Sequence, residues 1–176
     1  MQLFILDRDY RLAVEYLADI HLIKMCLETA QILSAVICIR GQMVPENFPR
    51  PYNMHHPVVR AIRTPEQTAW VVNYNGALHL EYSYRFGKLH VYCRLTERYR
   101  NVLSTQRAVP SCENLARVFK DYHTDIADIV EAHRAYYRYK MSILKRPPRW
   151  SKREMPPFLL PRSHPFSKRA VPDKGR

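Results

Sequence analysis

The stretch Leu17-Ala18-Asp19-Ile20-His21-Leu22-Ile23-Lys24-Met25-Cys26-Leu27-Glu28-Thr29-Ala30-Gln31 decides how the rest of the chain is read. On a helix, residues three, four and seven apart share a face, so His21, Lys24, Glu28 and Gln31 line up as one polar stripe beside an apolar run. Leu12, Tyr16, Leu17, Ile20, Leu27, Leu33 and Val36 recur at helical spacing and predict one long, largely buried amphipathic helix over about 10–39, with Asp9 as its N-cap. The plain reading of the stripe is a solvated face with an ordinary Lys24–Glu28 pair, because exposed i,i+4 pairs are common and weak. Against it stand Ile23, Met25, Cys26, Ile32 and Ile37, which leave little of the helix looking like solvent-facing surface. Buried carboxylates and histidines need partners or a function, so the stripe is a site candidate.

Length and charge bound the rest. At 176 residues, 47% of them hydrophobic, one domain with a real core is the simplest organisation. The 28 Lys and Arg against 16 Asp and Glu give a formal net charge of +12, far beyond what solubility requires. Such an excess points to a polyanionic partner, of which nucleic acid is the commonest; a merely soluble basic protein and a membrane-surface binder are the competing explanations. No stretch reads as the roughly 18 apolar residues of a membrane span, and the first nine residues carry acids where a signal peptide needs a basic end. An intracellular location without membrane attachment is expected. Cys26, Cys38, Cys93 and Cys112 form no CxxC pair, so they read as reduced, mostly buried thiols, and neither a disulfide framework nor a zinc site is expected.

Along the chain, residues 1–6 are a short apolar run, either a strand or an extended arm. Pro45, Pro49, Pro51, Pro57 and Pro65 forbid a continuous helix over 41–65, a loop whose length suggests function and which carries Tyr52-Asn53-Met54-His55-His56-Pro57. A second helix is predicted from Thr64 or Pro65 to about Gly87, with Trp70, Asn73, Ala77, Glu81, Tyr84, Arg85 and Lys88 along one side and Val71, Tyr74, Leu78 and Tyr82 on another. Its end, Tyr82-Ser83-Tyr84-Arg85-Phe86-Gly87-Lys88-Leu89-His90, is basic and aromatic. Those cations serve either the helix dipole or a phosphate backbone. Two more helices are predicted over 112–122 and 124–144, the latter capped by Thr124 or Asp125, with Ile126, Ile129, Val130, Tyr136 and Tyr137 buried. Tyrosines interleaved with Arg134, Arg138 and Lys140 suit phosphates and unstacked bases as well as a core. The expected architecture is all-α: a compact single-domain bundle of about four to six helices with long Pro-rich loops over 1–160, followed by a flexible basic Pro-rich tail over 161–176.

The segment Leu17-Ala18-Asp19-Ile20-His21-Leu22 followed by Glu28 resembles the first helix of the phage pyrimidine-dimer DNA glycosylases of the endonuclease V type. A broader pattern, Phe4-Ile5-Leu6-Asp7, His21-x-x-Lys24-Met25-x-x-Glu28-x-Ala30-Gln31, His56-Pro57, Glu81-Tyr82-x-Tyr84-Arg85-x-Gly87-Lys88-x-His90, Tyr136-Tyr137 and Trp150-x-x-Arg153, resembles small phage and bacterial proteins related to them. The resemblance implies Glu28 as catalytic carboxylate, with His21 and Lys24 beside it. It places Gln31, His56, Trp70, Asn73, Glu81, Tyr84 and Tyr137 around a base pocket. Arg85, Lys88, His90, Arg134, Lys140, Lys152 and Arg153 would then grip a double-stranded DNA backbone, with no metal, no cofactor and no obligatory protein partner.

The chemistry is coherent. Breaking an N-glycosidic bond builds positive charge on the deoxyribose, which a carboxylate in a partly dry site stabilises, and the nucleotide must first leave the stack. Two departures shape the expectation. Position 2 is Gln2, where those enzymes expose a threonine amine after methionine removal, and Leu27 and Gln31 stand where arginines flank the glutamate. A monofunctional glycosylase acting on a different base follows, such as a hydroxymethylated or glucosylated phage-type pyrimidine, in repair or in defence against modified viral DNA. The alternatives are a non-catalytic nucleic-acid-binding protein and a base-modifying transferase on a glycosylase scaffold. A zinc deaminase is disfavoured, because Pro110-Ser111-Cys112 does not complete its Pro-Cys-x-x-Cys signature.

Overall fold

The computed structural model describes residues 1–92 and 94–160. Among them the regular structure is entirely helical: α1 (Tyr10–Glu15), α2 (Asp19–Ile39), α3 (Pro57–Ala61), α4 (Pro65–Phe86), α5 (Thr96–Val102) and α6 (Ile129–Ser142), with a 3-10 turn at Pro157–Leu159. The expected tail, 161–176, lies outside the described residues. α4 is the hub, packing against α1, α2 and α5, while α3 packs on α2. The N-terminal run is the extended arm of the two alternatives: Leu3, Phe4, Ile5 and Leu6 thread into the core.

α4 follows local capping chemistry. Thr64 accepts from the Gln67 amide while the Gln67 side chain takes the Arg63 and Thr64 amides, and Pro65 sits where a missing N–H costs nothing. Gly87 ends it at φ 63°, in the left-handed region that glycine adopts without strain. Gly76 lets α5 approach closely, since a Cβ there would lie 2.9 Å from Thr96 Cγ2.

The single helix expected over 10–39 is two helices. Asp9 does cap the first, accepting from the Arg11 amide, but Tyr16–Ala18 leaves the helical path, with Ala18 extended at ψ 151°. A break leaves backbone groups without helical partners. Here distant side chains take them: the Arg85 guanidinium donates to the Glu15 and Leu17 carbonyls, Trp150 Nε1 donates to the Tyr16 carbonyl, and the Ala18 amide donates to the Tyr137 hydroxyl. Periodicity ran unbroken through these residues, so nothing local marked the bend.

Three further corrections apply. Residues 112–122 are not helical; Asn114 and Asp121 adopt positive φ of 60° and 58°, which a helix does not tolerate. The last helix begins at Ile129, capped by Asp128, which also receives the Arg8 guanidinium, rather than at Thr124 or Asp125. The Pro-rich loop contains α3, started by Pro57 with the His56 ring accepting from the Val58 amide, and α5 escaped the sequence reading altogether. α2 is also long and apolar enough by length and composition to cross a membrane, contrary to the reading that no stretch is. Most of its apolar window is buried inside the protein, as in the core helix of a helical domain.

Candidate active site

α2 gathers the first group of candidate residues. His21 is buried, 3.0 Å from the Tyr137 hydroxyl on α6, with its ring against Phe4. The Tyr137 hydroxyl accepts from the Ala18 amide at 2.8 Å and has one proton to give; donated to His21 Nδ1, it puts the His21 proton on Nε2. Burial, then Lys140, then Lys24, hold the His21 pKa down at about 4, so the ring is neutral at physiological pH. One turn on, Lys24 lies 3.3 Å from Glu28; the lysine side chain is 65% exposed and the glutamate only 15%. The carboxylate is therefore largely withdrawn from water while its partner is not. Gln31 follows, half-buried.

Glu28 has other charged neighbours. The half-buried His56 has its pKa lowered by burial and by the α-ammonium of Met1, and Glu28 pulls it the other way. The imidazole thus feels both a carboxylate and an amine at the junction of α2, the N-terminal arm and the start of α3. Beside Lys24, α2 does present a solvent face, contrary to the sequence reading: Ile20, Ile23 and Leu27 are 57%, 49% and 40% exposed. Cationic and apolar groups so interleaved around a shielded carboxylate suit a phosphate backbone and an unstacked base.

A second group is separate and mostly structural. Arg85, expected on a DNA backbone, is wholly buried and bonded to Glu81, Asp19 and two main-chain carbonyls. Glu81 is buried too. Its carboxylate takes Arg85 at 2.7 Å and both ends of the Arg153 guanidinium at 2.9 and 2.8 Å. Burial opposes its ionisation, but the hydrogen bonds from Arg153 and Arg85 win and keep its pKa below the usual carboxylate value. Asp19 also accepts from the Ser151 amide and hydroxyl, clamping the C-terminal strap over the α1–α2 break. Sequence reasoning gave Asp19 and Ser151 no role, because the single helix expected over 10–39 put Asp19 in its interior and Ser151 lies 132 positions away.

A cavity of about 690 Å³ lies against α1, α4 and α5 and is lined by Glu15, Asn73, Glu81, Tyr84, Arg100 and Arg153 among others; Glu28 does not line it. Asn73, expected to read a base edge, accepts from Arg100 at 2.7 Å there. Trp70 is a core residue and not a pocket wall: it stacks on Tyr74 and donates to the Arg8 carbonyl. Arg134 is engaged by the Leu6 carbonyl, Asp7 and Glu131, which leaves little of it for phosphate. Lys152 donates to the Tyr84 carbonyl, with its ammonium over the Tyr84 ring. Lys88 is exposed, and His90 and Lys140 are half-exposed. The expected pocket is thus divided between the α2 site and the α4 cavity.

A family model described as pyrimidine dimer DNA glycosylase matches residues 1–136. No curated protein and no solved structure matches the chain.

Proposed function

The chain belongs to the pyrimidine dimer DNA glycosylase family, and from that premise we propose that it excises a damaged or modified pyrimidine from double-stranded DNA, with Glu28 as the catalytic carboxylate. One observation carries the reading: Glu28 is a shielded acid on the polar stripe of α2, paired with an exposed lysine and acting on the His56 ring.

In this mechanism the C1′–N bond breaks with its electron pair leaving on the base, and the deoxyribose carries the developing positive charge. The Glu28 carboxylate stabilises that charge and accepts a proton from the water that adds to C1′, while the departing base gains a proton. Lys24 and Lys140 supply the positive potential that draws in phosphates, and Ile20, Ile23 and Leu27 offer an apolar surface to the opened stack. His21, neutral and fixed by Tyr137, positions α2 and the arm without titrating. A DNA substrate places the reaction inside the cell. Hydroxymethylated or glucosylated pyrimidines of phage DNA are the modified substrates proposed.

The Met1 amine and Glu28 both act on the His56 ring, which supports a second reading, in which that amine attacks C1′ and the enzyme is also a lyase. Mass spectrometry of bases freed from ultraviolet-irradiated and from modified phage DNA tests the first reading. Glu28→Gln is expected to lower release by at least about a hundredfold with binding within a few-fold of wild type. Release by the variant at the wild-type rate refutes the assignment of Glu28. Borohydride separates the two readings: a trapped protein–DNA adduct establishes the amine route, and base release without an adduct the hydrolytic one.

A further inference from the structure

Cys26, His79 and His90 come from three different segments: α2, α4 and the connection that follows Gly87. Their donor atoms all lie within 4.8 Å of one another. We propose that these three side chains form a zinc site, independent of the Glu28 site, that pins the connection between α4 and α5 to the helical core.

His79 is the first reason. It is 3% exposed, and neither ring nitrogen has a hydrogen-bond partner among the described residues. Unpartnered buried nitrogens are costly and call for an explanation, of which a ligand is one. Burial first, then His90, hold the ring neutral, with a pKa of about 4, and a neutral imidazole is the form that coordinates metals.

Geometry is the second. The His79 and His90 rings have centroids 5.2 Å apart. Two imidazoles on one tetrahedral zinc, with Zn–N near 2.05 Å, have ring centres about 5 Å apart, so the rings already hold the required separation. The donor atoms need to close by about 1 Å to reach tetrahedral spacing. His90 sits at the edge of Tyr82 and against Tyr92, and its one contact from the Tyr92 amide is long, at 3.4 Å, so it gives way to a metal bond without loss of packing.

Chemistry is the third. One thiolate and two imidazoles are a borderline-soft set that selects zinc over magnesium or calcium, and a fourth position remains for water or another donor. Cys26 is a free thiol that donates only weakly, at 3.7 Å, to the Leu78 carbonyl, beside His79. On binding it releases its proton to solvent and forms the metal–sulfur bond. Spacing along the chain hides this set: no two of the three residues lie within ten positions of each other. That is why the cysteines suggested no metal site.

The test is titration of the reduced, full-length protein with Co2+, followed by Zn2+ displacement, with thermal unfolding in parallel. One equivalent of Co2+ is expected to produce a thiolate-to-cobalt charge-transfer band and tetrahedral visible bands, and Zn2+ to raise the melting temperature. Cys26→Ser abolishes the charge-transfer band. His90→Ala, at a half-exposed position, keeps the circular dichroism of the fold, weakens metal affinity at least about tenfold and removes the zinc-dependent shift. If the wild type gives no charge-transfer band and no zinc-dependent shift, or if His90→Ala leaves both unchanged, the trio is a packed aromatic–thiol cluster and the proposal fails. The His90 arm decides the matter even if the buried Cys26→Ser variant does not fold.

Discussion

Replacing Arg85 with methionine removes a guanidinium that donates to Glu81 at 2.7 Å, Asp19 at 3.0 Å, and the Leu17 and Glu15 carbonyls at 2.7 and 2.8 Å. Methionine fills a similar volume, so a cavity contributes little. Glu81 keeps both bonds from Arg153, so its charge is not stranded. The loss falls on the two carbonyls freed where α1 and α2 separate, at about 1–3 kcal/mol each, since Asp19 keeps Ser151 as Glu81 keeps Arg153. The sum is about 2–6 kcal/mol, a large fraction of a typical domain's stability. Urea unfolding should show that loss, with a melting temperature lower by about 4–24 °C. Because Arg85 is wholly buried, the salt dependence of DNA binding by the folded variant should match wild type. A stability loss below about 1 kcal/mol, together with a log–log salt slope reduced by about one phosphate contact, would mean that Arg85 reaches DNA and that the helix break does not depend on it.

Tyr137→Phe leaves the Ala18 amide and His21 Nδ1 unpartnered in the core and is expected to cost about 1–3 kcal/mol; nitrogen NMR of His21 should also show the Nε2–H tautomer no longer fixed. An unchanged unfolding midpoint and tautomer would refute the relay. Acid should destabilise the metal-free protein through its buried histidines: burial holds His21 and His79 at about 4 and His133 at about 3, below the ordinary 6.5. Above pH 7 folded and unfolded states both carry them neutral; as pH falls below 6.5 only the unfolded chain takes up protons. Stability is then lost from pH 6.5 down to about pH 4 for His21 and His79, on the order of 2 kcal/mol per histidine by pH 5. Urea midpoints at pH 7.5 and pH 5, above the carboxylate range, measure this, and equal midpoints would contradict it.

The parts of the fold that were legible rest on short-range chemistry. The Thr64 cap with Pro65 behind it, the glycine stop at Gly87 and the Asp9 cap each involve residues within a turn of one another, and each was read from the residues alone; the Gln67 half of the capping box was not. The break between α1 and α2 was not, because the groups that stabilise it come from Arg85, Tyr137 and Trp150. Residues 112–122 carry helical spacing but adopt positive φ at two positions, where tertiary packing overrides periodicity. At the candidate site, the stripe on α2 was visible from the 3.6-residue repeat. That Arg85 is interior while Lys24 is exposed was not, since both are cations at helical positions.

Periodicity, caps and charge were sufficient to specify a helical domain, the polar stripe carrying Glu28 and a large excess of positive charge, because these follow from side-chain spacing and composition. Which cations are free, which close ion pairs, and which distant histidines and thiol meet depends on packing between segments far apart in the chain. Burial and long-range partnership are properties of the assembled core, so the division between the Glu28 site, the Arg85 clamp and the Cys26 cluster emerges only when the helices pack.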